Sequence, residues 1–126
     1  MSGAALLAVG LGGALGCWLR WALGTAWNAT LPSLPLGTLA ANLVGGYLIG
    51  IAVAFFGANA SLAPEWRLFC ITGFLGGLTT FSTFSAENVQ LMLAGRYAEA
   101  GLHAAVHLAG SLLLTAAGIA SYRALP

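Results

Sequence analysis

Lysine and aspartate are absent from this chain of 126 residues, and charge of either sign is scarce. Four arginines (Arg20, Arg67, Arg96, Arg123) stand against three glutamates (Glu65, Glu87, Glu99), a net charge of +1. Charged residues make up 6% of the chain, against about 25% in ordinary soluble domains. That balance excludes the basic footprint of a nucleic-acid binder and the polybasic anchor of a surface-bound protein. Cysteine is rare too. Cys17 and Cys70 each lie in an apolar run without a Cys or His at ligand spacing, and read as small buried hydrophobes. An enzyme is disfavoured, because no nucleophile and base stand at usable spacing. What the chain has in excess is apolar surface: 60% hydrophobic residues and a mean hydropathy of +0.92. A soluble domain or a disordered chain is excluded, and an integral membrane protein is expected.

A membrane-crossing helix needs about 20 mainly apolar residues, so the length holds four spans and short loops. They are expected at about 3–27, 36–56, 66–93 and 101–122 as a single all-α transmembrane domain. The period-2 alternation of a membrane barrel is missing. Met1 to Ala5 lacks the positive start of a signal peptide, so the first segment is expected to be retained. Gly12 and Gly16, and again Gly46 and Gly50, stand four apart, a spacing that lets helix backbones approach closely in lipid.

Four spans put the N-terminus, the second loop and the C-terminus on one side with Arg67 and Arg123. The other two loops carry Arg20 and Arg96. The arginine count that normally orients a membrane protein is therefore two against two. An antiparallel, dual-topology homodimer is expected, with its twofold axis in the membrane plane. A weakly biased parallel oligomer is the alternative.

The third segment is too long for one crossing and reads Gly73-Phe-Leu-Gly-Gly-Leu-Thr-Thr-Phe-Ser-Thr-Phe-Ser85 at its middle. Glycine and clustered hydroxyls are weak helix formers. Irregular backbone at membrane depth survives only in protein or beside a water-filled cavity, so a broken helix and a binding site are expected there. Thr38 and Asn42 are one turn apart on segment two, and Glu99, His103, His107, Ser111 and Thr115 recur every fourth residue on segment four. These side chains are mainly neutral hydrogen-bond donors, which favours an anion over a cation. Phe81 and Phe84, three apart, either turn positive ring edges toward such an anion or pack and face lipid; the residues alone leave both readings open. Arg20, between Trp18 and Trp21, either snorkels to the interface or draws anions into a vestibule. His103 and His107 lack further metal ligands at nearby spacing and are expected to bond between helices. Glu87 supports a competing reading, a proton-coupled exporter of lipophilic cations resembling the small multidrug transporters. That class carries its carboxylate in the first segment, where this chain has none. A non-transporting assembly subunit leaves the hydroxyl-rich break without a purpose.

Three stretches, Gly16-Cys-Trp-Leu-Arg-Trp21, Gly37-Thr-Leu-Ala-Ala-Asn-Leu43 and Thr72 to Glu87 with its Gly76-to-Ser85 core, carry a resemblance over essentially the whole chain. It is similar to the small bacterial fluoride channels of the Fluc or CrcB family. The resemblance implies a dual-topology homodimer in the bacterial cell membrane, with two pores that pass fluoride passively out of the cell to relieve its toxicity. It implies that Phe81, Phe84 and Asn42 line the fluoride path, with Ser82, Thr83 and Ser111 in a polar track. Thr38 and Thr115 lie near that track, and Arg20 belongs to the vestibule. The backbone carbonyls of Gly76 and Thr79 are implied to hold a structural sodium ion at the dimer interface. His103 departs from the pattern, standing where some members have a pore-side tyrosine. The partners implied are fluoride, the lipid bilayer and a second copy of the chain.

Overall fold

The structure, a computed structural model, describes residues 1–126, and every regular element in it is helical. Helix α1 (Gly3–Trp27) starts at Ser2, whose hydroxyl accepts the Ala5 amide at 3.1 Å. A short 3-10 turn (Asn28–Thr30) leads to α2 (Leu36–Ala58). The third run, α3 (64–78), is continuous but not uniform: Pro64–Arg67 and Gly76–Leu78 are α-helical, and Leu68–Leu75 between them is π-helical. Helix α4 (Phe81–Leu93) follows after two residues, and α5 (Tyr97–Arg123) completes the chain. With α3 and α4 counted together, four stretches are long and apolar enough to cross a membrane.

Several bounds differ from the sequence expectation. Helix α2 runs on to Ala58, α3 starts at Pro64, and α5 spans Tyr97–Arg123, beginning four residues before Gly101. The early start of α5 has a local cause. Gly95 takes a left-handed φ of 74°, and the Arg96 amide reaches back to the Leu91 carbonyl at 2.9 Å while the Gly95 amide reaches that of Met92. This tight glycine-terminated end lets the chain reverse within three residues. Glu99 then sits in the first turn of α5, paired with Arg96, and not in a connector.

Packing follows the glycines. Helix α1 lies against α3, and α2 against α5. A Cβ on Gly16 would strike the Phe74 carbonyl, and one on Gly77 would lie 2.5 Å from the Gly13 carbonyl. At the second seam, Gly50 faces the Thr115 carbonyl and Gly118 faces that of Tyr47 with no room for a methyl group. Each seam is thus a mutual backbone approach, the contact that small-xxx-small spacing makes possible. Only 17 of 126 residues are buried, and large apolar side chains cover the outside. Such a surface needs lipid or another protein face around it.

Candidate functional site

The third crossing breaks at two residues. Thr79 (φ −82°, ψ 154°) and Thr80 (φ −151°, ψ 117°) are extended, and α4 restarts at Phe81. Of the five clustered hydroxyl residues only Thr79 and Thr80 are unwound; Ser82, Thr83 and Ser85 are helical. Thr80 caps the new helix by accepting the Thr83 amide at 3.0 Å, and Ser82 and Thr83 lie in its first turn. Thr79 closes the old helix, with its amide and hydroxyl both donating to the Leu75 carbonyl at 3.0 and 2.8 Å.

Asn42 on α2 holds the break open. Its Oδ1 accepts the Thr80 amide at 2.7 Å, and its Nδ2 donates to the Thr80 carbonyl at 3.0 Å. The carboxamide thus supplies the partners that a helix would have given Thr80. Because the Thr80 amide is diverted, the Gly76 carbonyl loses its α-helical donor, and the Thr79 carbonyl accepts no backbone hydrogen bond. Arg20 closes the remaining side: its Nε donates to the Gly77 carbonyl at 2.9 Å. A cation at a helix C-terminus is favourably placed. Arg20 is consequently tied to the break.

Against the break lies a cavity of about 320 Å³. Asn42, Thr79, Thr80, Phe81, Phe84, His107, Ser111 and Thr115 line it, together with Gly46, Ile49, Leu108 and Leu112. No charged side chain is among them. The expected residues Asn42, Phe81, Phe84, Ser111 and Thr115 are brought together here. Thr38, Ser82 and Thr83 are not in the lining. The hydroxyls of Ser82 and Thr83 lie 3.2 and 3.1 Å from Thr80 Oγ1. The Phe81 and Phe84 ring centres are 5.4 Å apart, with Phe81 largely exposed on the outer face. Thr115 already donates its hydroxyl to the Gly46 carbonyl at 2.9 Å, across the glycine seam.

Thr38 belongs to a second polar network, one turn away on α2. It donates to Glu87 Oε1 at 2.6 Å, and its amide donates to Asn28 Oδ1 at 2.9 Å. The other Glu87 oxygen lies 3.0 Å from His103 Nε2. Both oxygens of Glu87 are thus engaged, and its side chain is 14% exposed. It is outside the cavity at the break and lines a smaller one with Gln90 and Arg96.

Both histidines bond between helices. Asn88 Nδ2 donates to the Ala100 carbonyl (2.7 Å) and to His103 Nδ1 (3.1 Å), and Asn42 Nδ2 lies 3.1 Å from His107 Nδ1. Glu87 supplies the third potential ligand that spacing alone did not reveal, and the three residues bring ligand atoms within 4.8 Å of one another. The carboxamides argue against a metal, however. Each presents N–H to Nδ1, so both imidazoles carry their proton on Nε2 and offer donors there. Sequence reasoning placed His107 on the polar stripe but missed its membership of the cavity. The signal was the stripe itself; its partner Asn42, 65 residues away, was not readable from local spacing.

A family model described as CrcB-like protein, Camphor Resistance (CrcB), matches residues 7–119. The chain belongs to the CrcB family. Among CrcB relatives, it is 66% identical over 119 residues to a protein of Cupriavidus metallidurans, covering 94% of both chains. It is 63% identical over 125 residues to one of Ralstonia nicotianae, covering 99% of both. A Pseudomonas putida relative is 62% identical over 117 residues, covering 93% of this chain and 92% of its own. Each of the three is named a fluoride-specific ion channel, FluC.

Proposed function

We infer that the protein is a fluoride-selective channel of the bacterial cell membrane that lets fluoride leave the cell passively. The observation that carries this reading is the cavity at the helix break: it is lined by amide, hydroxyl and imidazole groups and phenyl rings, and by no charge. Fluoride is small and strongly hydrated, so a path that admits it must replace water hydrogen bonds. Neutral donors and positive ring edges do this without the tight binding of a buried cation. The FluC name of relatives at 62 to 66% identity agrees with that chemistry.

The complete unit in this reading is an antiparallel homodimer with two pores. The two-against-two arginine balance and the exposed Phe81 face support it. The carbonyls of Gly76 and Thr79 suit a structural sodium ion, since the break leaves both without the usual backbone donor. Hard oxygen ligands favour such a cation, and a twofold axis would double them. Bound there, sodium would neutralise carbonyl dipoles between the subunits. Arg20 and Asn42 then hold the backbone that presents those oxygens.

In planar bilayers under a fluoride gradient, the current should reverse at the fluoride equilibrium potential and ignore an imposed proton gradient. A reversal potential that follows the proton gradient would defeat the reading. Single-cysteine tags in the third loop should label from both sides of the membrane; one-sided labelling would sink the antiparallel dimer.

A further inference from the structure

We propose that Asn42 serves the ion path as a positioning residue, by fixing the proton of His107 on Nε2, and that this N–H is the donor meeting the anion. The proposal rests on the fluoride reading and assigns a role within it. Both Nδ2 hydrogens of Asn42 are committed in this conformation, one to the Thr80 carbonyl at 3.0 Å and one to His107 Nδ1 at 3.1 Å. Its Oδ1 is held by the Thr80 amide at 2.7 Å, so the carboxamide cannot turn over without losing both Thr80 bonds. Asn42 therefore has no donor left for an ion, and His107 Nδ1 must be an acceptor.

The neutral ring then carries its hydrogen on Nε2. His107 is 96% buried, and its Nε2 is the one buried side-chain nitrogen or oxygen in the chain without a hydrogen-bond partner. A buried N–H left unpaired is costly and calls for an acceptor. The ring lines the cavity beside Phe84, whose centre is 4.9 Å away, and Ser111 stands one turn along the same helix. On the fluoride reading the permeating ion supplies that acceptor, since among halides fluoride accepts the strongest hydrogen bond. His103 supplies the contrast: its Nε2–H is already spent on Glu87.

The test is nitrogen NMR of histidine-labelled protein in liposomes, with the His107 signal assigned by its loss in His107→Gln. The native protein should show His107 protonated on Nε2, with a shift of that signal on adding potassium fluoride and none with potassium chloride. Asn42→Asp keeps an acceptor for the Thr80 amide but offers a carboxylate to His107. The proton should move to Nδ1, the fluoride-dependent shift should vanish, and fluoride flux should fall about tenfold or more. Native His107 protonated on Nδ1, or a His107 signal indifferent to fluoride in liposomes that release it, overturns the proposal alone. Native liposomes that release no fluoride overturn the channel reading as well. The native spectrum decides the matter even if Asn42→Asp does not fold.

Discussion

Two asparagine–histidine pairs stand one turn apart along α5, and they differ in what lies beyond the ring. At His103 the Asn88 amide orients the imidazole, and its far nitrogen lies 3.0 Å from the Glu87 carboxylate, which Thr38 holds from the other side. At His107 the Asn42 amide does the same work, and the far nitrogen meets nothing. The first pair is closed and ties α2, α4 and α5 together. The second is open and belongs to a cavity without charge. One arrangement of side chains is a structural tie or a binding donor according to whether the protein supplies the acceptor.

The sharpest way to break this contrast is to remove each donor while keeping a ring. His107→Phe preserves the aromatic packing on Phe84 but not the N–H. A hydrogen bond to a charged group contributes about 1.5–3 kcal/mol, so fluoride flux should fall about 10- to 100-fold, read by an electrode in liposomes. Phe81→Ile should likewise lower flux sharply while the dimer still assembles; unchanged flux would remove Phe81 from the path. His103→Phe should act on stability instead. It leaves the Glu87 carboxylate short of a donor, costing about 1–3 kcal/mol, seen as a lower thermal midpoint in detergent. A larger loss of flux per folded protein than His107→Phe would invert the comparison.

Thr115→Val should have a smaller effect. It loses the hydroxyl bond to the Gly46 carbonyl, about 1 kcal/mol of stability, and flux should change less than in His107→Phe, because that proton was already spent within the protein. The smallest effect belongs to the loop between α4 and α5. Arg96 Nε donates to the Glu99 carboxylate at 2.8 Å. The pair is exposed and screened, so Arg96→Gln should leave the neutral-pH midpoint unchanged within error. A clear drop would show that this loop does more than connect.

The break in the third crossing was legible because its residues advertise it: three glycines before five hydroxyls, in a segment too long for one crossing. Its detail was not. Thr80 is a helix cap and not the start of a coil, and a cap depends on where the chain turns as well as on residue type. The π-helical run over Leu68–Leu75 left no mark, since its mainly apolar sequence serves an α-helix equally well. Thr38 and Asn42 share a face of α2, which suggested one polar track. Their neighbours differ, Glu87 for one and the broken backbone for the other, and that depends on which residue of α4 lies opposite each turn. Arg20 was readable as a cation near an interface, but not as the partner of a carbonyl 57 residues away.

The most direct test of the channel is release of ions from liposomes loaded with potassium fluoride or potassium chloride, started by valinomycin and followed by ion-selective electrodes. Rapid fluoride release with chloride retained is the predicted result. Release of both anions at similar rates, or of neither, would contradict it.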